Sequence, residues 1–200
     1  MSLLRASLGD GRERTLLADP VANALITLPN NHSYIHKGQH FKAGFSDLLE
    51  DEDQKLSIAV GVPGWVPTVH EGHDTAYHMV WRFWASGPVS FGIYEDVTSV
   101  SGGTVQAAMN NSRLDHGYTT DLVIQHGALT RTGGTPLLPV YYHGPAQGAA
   151  SVKAQSFSSR DDDEILLKPG SLYVFEMVSL DGIDNYAGIE LAWYEYVPEM

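Results

Sequence analysis

The sequence predicts an all-β protein whose antiparallel strands form a β-sandwich, and three observations support this fold class. Short runs rich in aromatic and β-branched residues recur along most of the 200-residue chain. Several of these runs alternate in period two, which is typical of half-buried strands. Clusters of Gly and Pro separate the runs, and the chain carries 20 glycines and only 18% charged residues. Such frequent turn signals leave little room for helices.

Ten segments carry the strand signal from residue 33 onward. They are residues 33–36, 40–45, 55–62, 77–86, 89–96, 118–127, 137–144, 164–170, 171–180 and 186–197. Within 77–86, Arg82 and Trp84 occupy one parity, whereas Trp81 and Phe83 occupy the other. We therefore expect two distinct faces on this strand.

Residues 1–30 are expected to form an extended arm, and residues 31–200 a single β-sandwich domain. Pro20 interrupts the arm, and its apolar residues show no sustained 3.6-residue stripe, which disfavours a helix. We expect the arm to contact a neighbouring protein, with each desolvated apolar side chain contributing about 1–2 kcal/mol. The candidate contact residues are Leu16, Leu17, Val21, Leu25, Ile26 and Leu28.

The charge, the cysteine content and the length of the apolar runs each exclude a class of partner or site. The net charge is −12. Residues 31–200 hold nine Lys/Arg against twenty-one Asp/Glu, so the domain should repel nucleic-acid phosphates. The chain has no cysteine, which rules out disulfides, thiolate metal sites and a cysteine nucleophile. No apolar run reaches the roughly 18 residues that span a bilayer. We expect neither a nucleic-acid nor a membrane partner.

Two acidic blocks, residues 50–53 and 161–164, lie between predicted strands. Their mutual repulsion is expected to keep them solvated on the surface. A calcium loop is the alternative, but neither block has the Asp-x-Asp-x-Asp-Gly order of an EF-hand.

Nine histidines raise the question of a metal site. His32, His36 and His40 share one parity, but Lys37-Gly38 resembles a turn that would separate them. The second group is His70, His73 and His78, with Glu71 between the first two. Its spacing fits neither a cupin nor the zinc-protease motif His-Glu-x-x-His. We expect no metal and no cofactor, and a cupin-like metal enzyme stays an alternative.

The remaining motifs of catalysis are weak. There is no Gly-x-Ser-x-Gly element for a serine nucleophile. The pairs Gly102-Gly103 and Gly133-Gly134 are expected in hairpin turns rather than phosphate loops. Glu95 and Asp96 should point to opposite faces of a strand, which prevents shared acid–base work. We therefore expect no enzymatic activity.

The aromatic residues divide between core and surface. Trp81, Phe91 and Trp193 lie inside strand-like segments and are expected to be buried. Trp65 lies near two prolines in a predicted loop and is the candidate exposed aromatic. An exposed aromatic platform would favour a second function, a glycan-binding or host-contact module of a head fibre or tail.

A series of motifs between residues 32 and 197 resembles a known family. In chain order these are Ile35-His36-Lys37-Gly38, residues 76–81, Ile93-Tyr94-Glu95-Asp96, Gly103-Thr104, residues 110–113, Thr132-Gly133-Gly134-Thr135, residues 166–173 and Trp193-Tyr194-Glu195. Together they are similar to a family of small β-rich virion proteins of tailed phages, which resemble jelly-roll capsid decoration (cement) proteins. Tyr196 stands where a histidine commonly closes the pattern, and residues 1–30 have no counterpart in the family.

This resemblance implies a fold, a location and partners. The sandwich would be of jelly-roll type, and the protein would decorate and stabilise the exterior of a phage capsid. Its partners would be the major capsid protein and further copies of itself, with a trimer favoured. Such a protein is made in the host cytoplasm and ends in the virion.

Overall fold

The computed structural model describes nine stretches of the chain, which together hold sixteen strands and no helix. The stretches are residues 3–7, 13–19, 24–26, 39–63, 76–111, 119–138, 141–143, 155–158 and 164–196. The strands are β1 Leu3–Ser7, β2 Glu13–Asp19, β3 Ala24–Ile26, β4 His40–Leu49, β5 Lys55–Gly61, β6 Ala76–Ala85, β7 Val89–Ser101, β8 Thr104–Gln106, β9 Met109–Asn110, β10 Val123–Gly127, β11 Thr130–Pro136, β12 Tyr141–His143, β13 Gln155–Ser158, β14 Ile165–Leu167, β15 Leu172–Ser179 and β16 Asn185–Tyr196. The prediction of an all-β protein is confirmed.

Strands β4 to β16 form two antiparallel sheets, which confirms the β-sandwich. The β5 sheet has the order β11-β7-β15-β5-β10-β8, and β12 also pairs with β7. The β4 sheet has the order β13-β6-β16-β4-β9, and β14 also pairs with β6. The alternation in β6 places every second side chain of this strand between the sheets, where it contributes to the core.

The main core lies between the two sheets and is rich in aromatic residues. Phe83 and Phe91 stack with ring centroids 4.2 Å apart, and both are almost fully buried. Trp81, Phe91 and Trp193 are each at most 5% exposed, so their predicted burial is confirmed. On the opposite parity of β6, Arg82 is exposed and Trp84 half-buried, which confirms the two faces.

The Gly-Gly pairs do not form hairpin turns, so that expectation is wrong. Gly102 and Gly103 form a corner between β7 and β8. The antiparallel ladder continues on both sides of this corner, because β7 pairs with β11 and β8 pairs with β10. Gly133 and Gly134 lie inside β11, next to a bulge in its pairing with β7. All four glycines have positive φ, between 71° and 100°. Glycines with positive φ occur at bends and bulges of strands as well as in hairpin turns.

A second, smaller apolar cluster lies under this corner. Leu129 follows β10 and packs with Ala59, Val97 and Val174, all of them buried. These side chains lie on the outer surface of the β5 sheet, opposite the main core. The bent ribbon of β7, β8, β10 and β11 therefore covers part of that surface.

The segment before residue 30 contains β1, β2 and β3, which pair as a separate three-stranded antiparallel sheet. Leu16 and Leu17 lie in β2, and Leu25 and Ile26 lie in β3. Val21 and Leu28 lie outside the described residues. The contacts expected of these six residues, and of the arm as a whole, stay a prediction.

Candidate functional site

The acidic turn between β4 and β5 shows how the surface charges are arranged. Residues 50–53 are all exposed, which confirms the solvated position expected for this block. The side-chain Oε1 of Gln54 accepts hydrogen bonds from the backbone N of Glu50, at 2.6 Å, and of Asp51, at 3.2 Å. The turn is therefore held by an amide side chain. Of the second acidic block, only Glu164 lies within the described residues.

His78 is engaged in contacts between strands. His78 Nδ1 lies 2.5 Å from Glu164 Oε1, and the Tyr194 hydroxyl donates to the same oxygen at 3.0 Å. The rings of His78 and Tyr194 stack at a centroid distance of 4.7 Å. Because these residues belong to β6 and β16 and to the entry of β14, the cluster joins three strands at one end of the β4 sheet.

His40 lies in the same row of the β4 sheet and is only 8% exposed. Asn111 Nδ2 donates to His40 Nδ1 at 2.6 Å. Burial lowers the pKa of His40, and the nearby charge of Lys42 lowers this pKa further. The imidazole is therefore neutral at pH 7 and able to accept the amide hydrogen bond.

Within the residues that the structure describes, no three His, Asp or Glu side chains are grouped so that they could hold a metal ion. His32, His36, His70 and His73 lie outside those residues. Trp65, the candidate exposed aromatic, also lies outside them. The roles considered for these five residues stay predictions.

Glu95 and Asp96 serve one cluster, contrary to the expectation that they point to opposite faces. Asp96 has φ +53°, so the alternation of β7 breaks at this residue. Glu95 Oε1 accepts from the Tyr173 hydroxyl at 2.5 Å, and Asp96 binds Lys168 Nζ at 2.9 Å. Asp96 also accepts from Ser171 Oγ at 2.7 Å. The pair therefore fastens the turn between β14 and β15 to β7.

An interior polar cluster closes one end of the main core. Glu195 and Tyr77 are direct neighbours across β16 and β6, and Trp193 Nε1 donates to Thr120 Oγ1 at 3.3 Å. Burial raises the pKa of Glu195, the charge of Asp121 adds to it, and hydrogen bonds from Thr120 and Trp193 oppose it. Burial, followed by the charges of Glu195 and Asp121, raises the pKa of Tyr77 to about 12. Both pKa shifts favour the protonated side chain, which is the carboxylic acid of Glu195 and the phenol of Tyr77.

The outer surface of the β5 sheet is covered by its own side chains. Glu176 is only 5% exposed and lies 3.6 Å from both Lys55 Nζ and Arg131 Nε. The Arg131 guanidinium lies over the Tyr94 ring at 3.5 Å from its centroid. These groups cover the described part of the β5 sheet's outer surface beside the corner.

The outer surface of the β4 sheet is different, because it carries glycines, which have no side chain, next to large side chains such as that of Trp84. We call this surface the Trp84 trough and define it by the outward positions of three adjacent strands. These are Lys42 and Gly44 of β4, Gly188 and Glu190 of β16, and Arg82 and Trp84 of β6. A groove of about 320 Å³ lies at its β4 side, bounded further by Gln106 and Met109.

Trp84 packs against the backbone of Gly188. A Cβ placed on Gly188 would be 2.5 Å from Cε2 and Cζ2 of the indole and 2.7 Å from Nε1. These three atoms form the edge of the indole from Nε1 to Cζ2, so a side chain at this position would collide with that edge. Only glycine therefore leaves room for the indole here, and Trp84 remains half-buried with Tyr186, 61% exposed, at the next outward position of β16.

Sequence reasoning placed Trp84 on the face opposite Phe83 but did not identify it as part of a site. The signal was present in the parity of β6, whereas the pairing of Trp84 with Gly188 depends on strand register. Register is a long-range property that alternation alone does not determine.

Comparison with known proteins gives no neighbour for this chain. No protein-family model matches it, and neither curated proteins nor solved structures give a match. In the described part of the chain, no helix has the length and apolar character needed to cross a membrane.

Proposed function

We propose that this protein is a non-catalytic structural component of a tailed-phage virion, which decorates the capsid exterior by binding the lattice of the major capsid protein. The observation that carries the proposal is the strand order of the sandwich. The order of the motifs between residues 32 and 197, which resembles virion proteins of this kind, supports it from the sequence.

The strand order supports a jelly roll. Strands β4, β5, β6 and β7 alternate between the two sheets. Strand β15 then returns between β5 and β7, and β16 returns between β4 and β6. We infer that the sandwich is of jelly-roll type, because two successive Greek keys produce this arrangement. Viral capsid domains are among the proteins that use this fold, although fold alone does not determine function.

The use of the polar clusters favours binding over catalysis. The His78–Glu164–Tyr194 cluster joins strands, and the Glu95–Asp96 pair fastens a turn. In each case the groups that could carry acid–base chemistry are paired with groups of the same fold. Such pairing stabilises a rigid body, which suits a protein that works by adhering to a lattice.

The segment before residue 30 supplies the expected contact with the capsid. Its apolar residues, Leu16, Leu17, Val21, Leu25, Ile26 and Leu28, would gain about 1–2 kcal/mol each on desolvation, less the cost of ordering the segment. A homo-oligomer, with a trimer favoured, would present several such segments to a repeating surface. Avidity then converts modest individual affinities into tight coating.

A cosedimentation experiment tests this function. Empty shells assembled from the major capsid protein of the same virus are mixed with the full chain or with a chain lacking residues 1–28. We expect the full chain to sediment with the shells and to raise the temperature at which they disassemble. The truncated chain should show at least tenfold lower occupancy, because it lacks the contact segment.

Two results would count against the proposal at different levels. If the full chain fails to sediment with shells at any concentration, the capsid role is wrong. If the truncated chain occupies the shells as well as the full chain does, the contact role of the six apolar residues is wrong. Circular dichroism of both proteins serves as the control for folding.

A further inference from the structure

We propose that the Trp84 trough is a carbohydrate-binding site that accepts an oligosaccharide containing hexopyranose rings. This site goes beyond capsid decoration and would let the protein adhere to a glycan surface. The proposal combines three features of the outer surface of the β4 sheet: a partly exposed aromatic ring, an adjacent groove and a polar rim.

The aromatic ring is the first feature. The Trp84 indole lies against the Gly188 backbone on the outer side of the sheet and is half-buried, so part of it is open to solvent. The apolar C–H face of a pyranose ring packs well on an aromatic side chain, which buries apolar area without leaving hydroxyls unpaired. Tyr186, at the neighbouring outward position and 61% exposed, provides a second aromatic group for a longer ligand.

The groove is the second feature. Gly44 lies outward on β4, and its missing side chain leaves the floor between Lys42 and Gln106 open. Gln106 Nε2 donates to Gly44 O at 3.1 Å, so the wall of the groove is fixed to its floor. The volume of about 320 Å³ falls at the lower end of the range for small-molecule sites. The groove therefore suits a short oligosaccharide.

The polar rim is the third feature. Lys42 Nζ and Glu190 Oε1 lie 3.8 Å apart, and their side chains are 41% and 44% exposed. Glu190 is also the direct neighbour of Arg82 across β16 and β6. Sugar hydroxyls both donate and accept, so a carboxylate placed between two cationic donors offers both kinds of partner. Both side chains of the pair are accessible from solution.

A purely structural role of Trp84 makes a different prediction. In that case the indole would only shield the Gly188 backbone from water, as aromatic residues do beside glycines in sheets. Replacing Trp84 would then reduce stability, and the intact protein would bind no sugar. Binding measurements, rather than stability, therefore distinguish the two roles.

The test uses the full chain on a glycan array, followed by titration of the best-bound oligosaccharide by calorimetry. We expect binding by the intact protein and at least a tenfold loss of affinity for Trp84→Ala. Gly44→Val should cause a similar loss by filling the groove. The nearest atom to a Cβ at Gly44 is Ile189 O at 3.4 Å, an ordinary contact, so this variant should fold even if Trp84→Ala does not.

Glu52→Gln is the matched control, because Glu52 is an exposed acid in the turn between β4 and β5, outside the trough. It should bind as the intact protein does. The proposal is overturned if the intact protein binds no glycan above background, or if Gly44→Val binds as tightly as the intact protein. Cosedimentation with capsid shells, measured in parallel, shows whether capsid binding is independent of the trough.

Discussion

At the scale of single residues, Glu195 is the described carboxyl group whose environment most clearly opposes its charge. It occupies an inward position of β16, beside Tyr77 and near Asp121, where burial and a like charge both favour the protonated acid. One of its oxygens, Oε1, is buried without a hydrogen-bond partner. Ionisation at this position therefore costs free energy in the folded state.

We expect Glu195→Gln to stabilise the protein by an amount that grows with pH. The pKa of Glu195 is raised in the folded state above its ordinary value of 4.5. Above pH 4.5 the unfolded chain therefore loses a proton that the folded chain still holds, and stability falls as pH rises through the folded pKa. The neutral glutamine has no such proton to lose.

Urea unfolding at pH 4, 5.5 and 7 measures this difference, since subtracting the intact protein from the variant cancels the effect of other carboxylates. The stability gap should be smallest at pH 4 and largest at pH 7. Glu52→Gln, on the exposed turn, should show no such trend. A gap that is constant across the three pH values would contradict the raised pKa.

At the scale of elements, the corner between β7 and β8 is the feature on which the outer covering of the β5 sheet depends. Gly103 has φ +78°, and a Cβ there would lie 2.6 Å from His126 O and in collision with the Leu129 side chain. The ribbon bends here so that Leu129 reaches Ala59 and Val174. A side chain at this position would disturb both the bend and the cluster.

We therefore expect Gly103→Ala to reduce the free energy of unfolding by about 2–5 kcal/mol, combining left-handed strain of about 1–2 kcal/mol with overpacking of about 1–3 kcal/mol. Thermal and urea unfolding measure the loss. Gly182→Ala is the matched control, because nothing lies within 4 Å of its Cβ position, and its effect should stay within about 0.5 kcal/mol. Equal effects of the two substitutions would show that the corner tolerates a side chain.

The strands that the sequence predicted correctly are those whose side chains carry the pattern. β6 and β16 alternate, so their inward side chains are buried and most of their outward side chains are more exposed. β5 and β15 each hold five consecutive buried residues, as expected for strands covered on both faces. β11, with the sequence TRTGGTP, was predicted as a turn, because its mainly exposed residues give no hydrophobic signal. It forms a strand because its backbone forms hydrogen bonds with β7. This pairing depends on the neighbouring strand and not on the side chains of β11.

The candidate site shows the same division between local and long-range information. The parity of β6 predicted that Trp84 lies opposite Phe83, and the structure confirms it. Its place over Gly188 depends on the register of β6 with β16, which sequence alternation leaves open. The joint use of Glu95 and Asp96 was missed for another reason. Asp adopts positive φ more often than most residues, but alternation does not predict which residue of a strand does so.

At the scale of the whole molecule, the described strands form two bodies of unequal size. Strands β1 to β3 pair only with one another, whereas β4 to β16 share the two sheets of the sandwich. The long-range ladders of β6, β16, β15 and β5 and the aromatic core all belong to the sandwich. Its stability should therefore derive from residues after 39.

We expect a chain lacking residues 1–28 to fold as the full chain does and to unfold in one cooperative transition. Its melting temperature should lie within about 4 °C of the full chain, the shift that a change of about 1 kcal/mol gives in a domain of this size. Calorimetry and near-ultraviolet circular dichroism measure this, the latter because the buried tryptophans report on core packing. A larger fall in melting temperature would mean that residues 1–28 also stabilise the sandwich, and a lost capsid contact would then need to be tested with substitutions at Leu16 and Leu17 instead of the deletion.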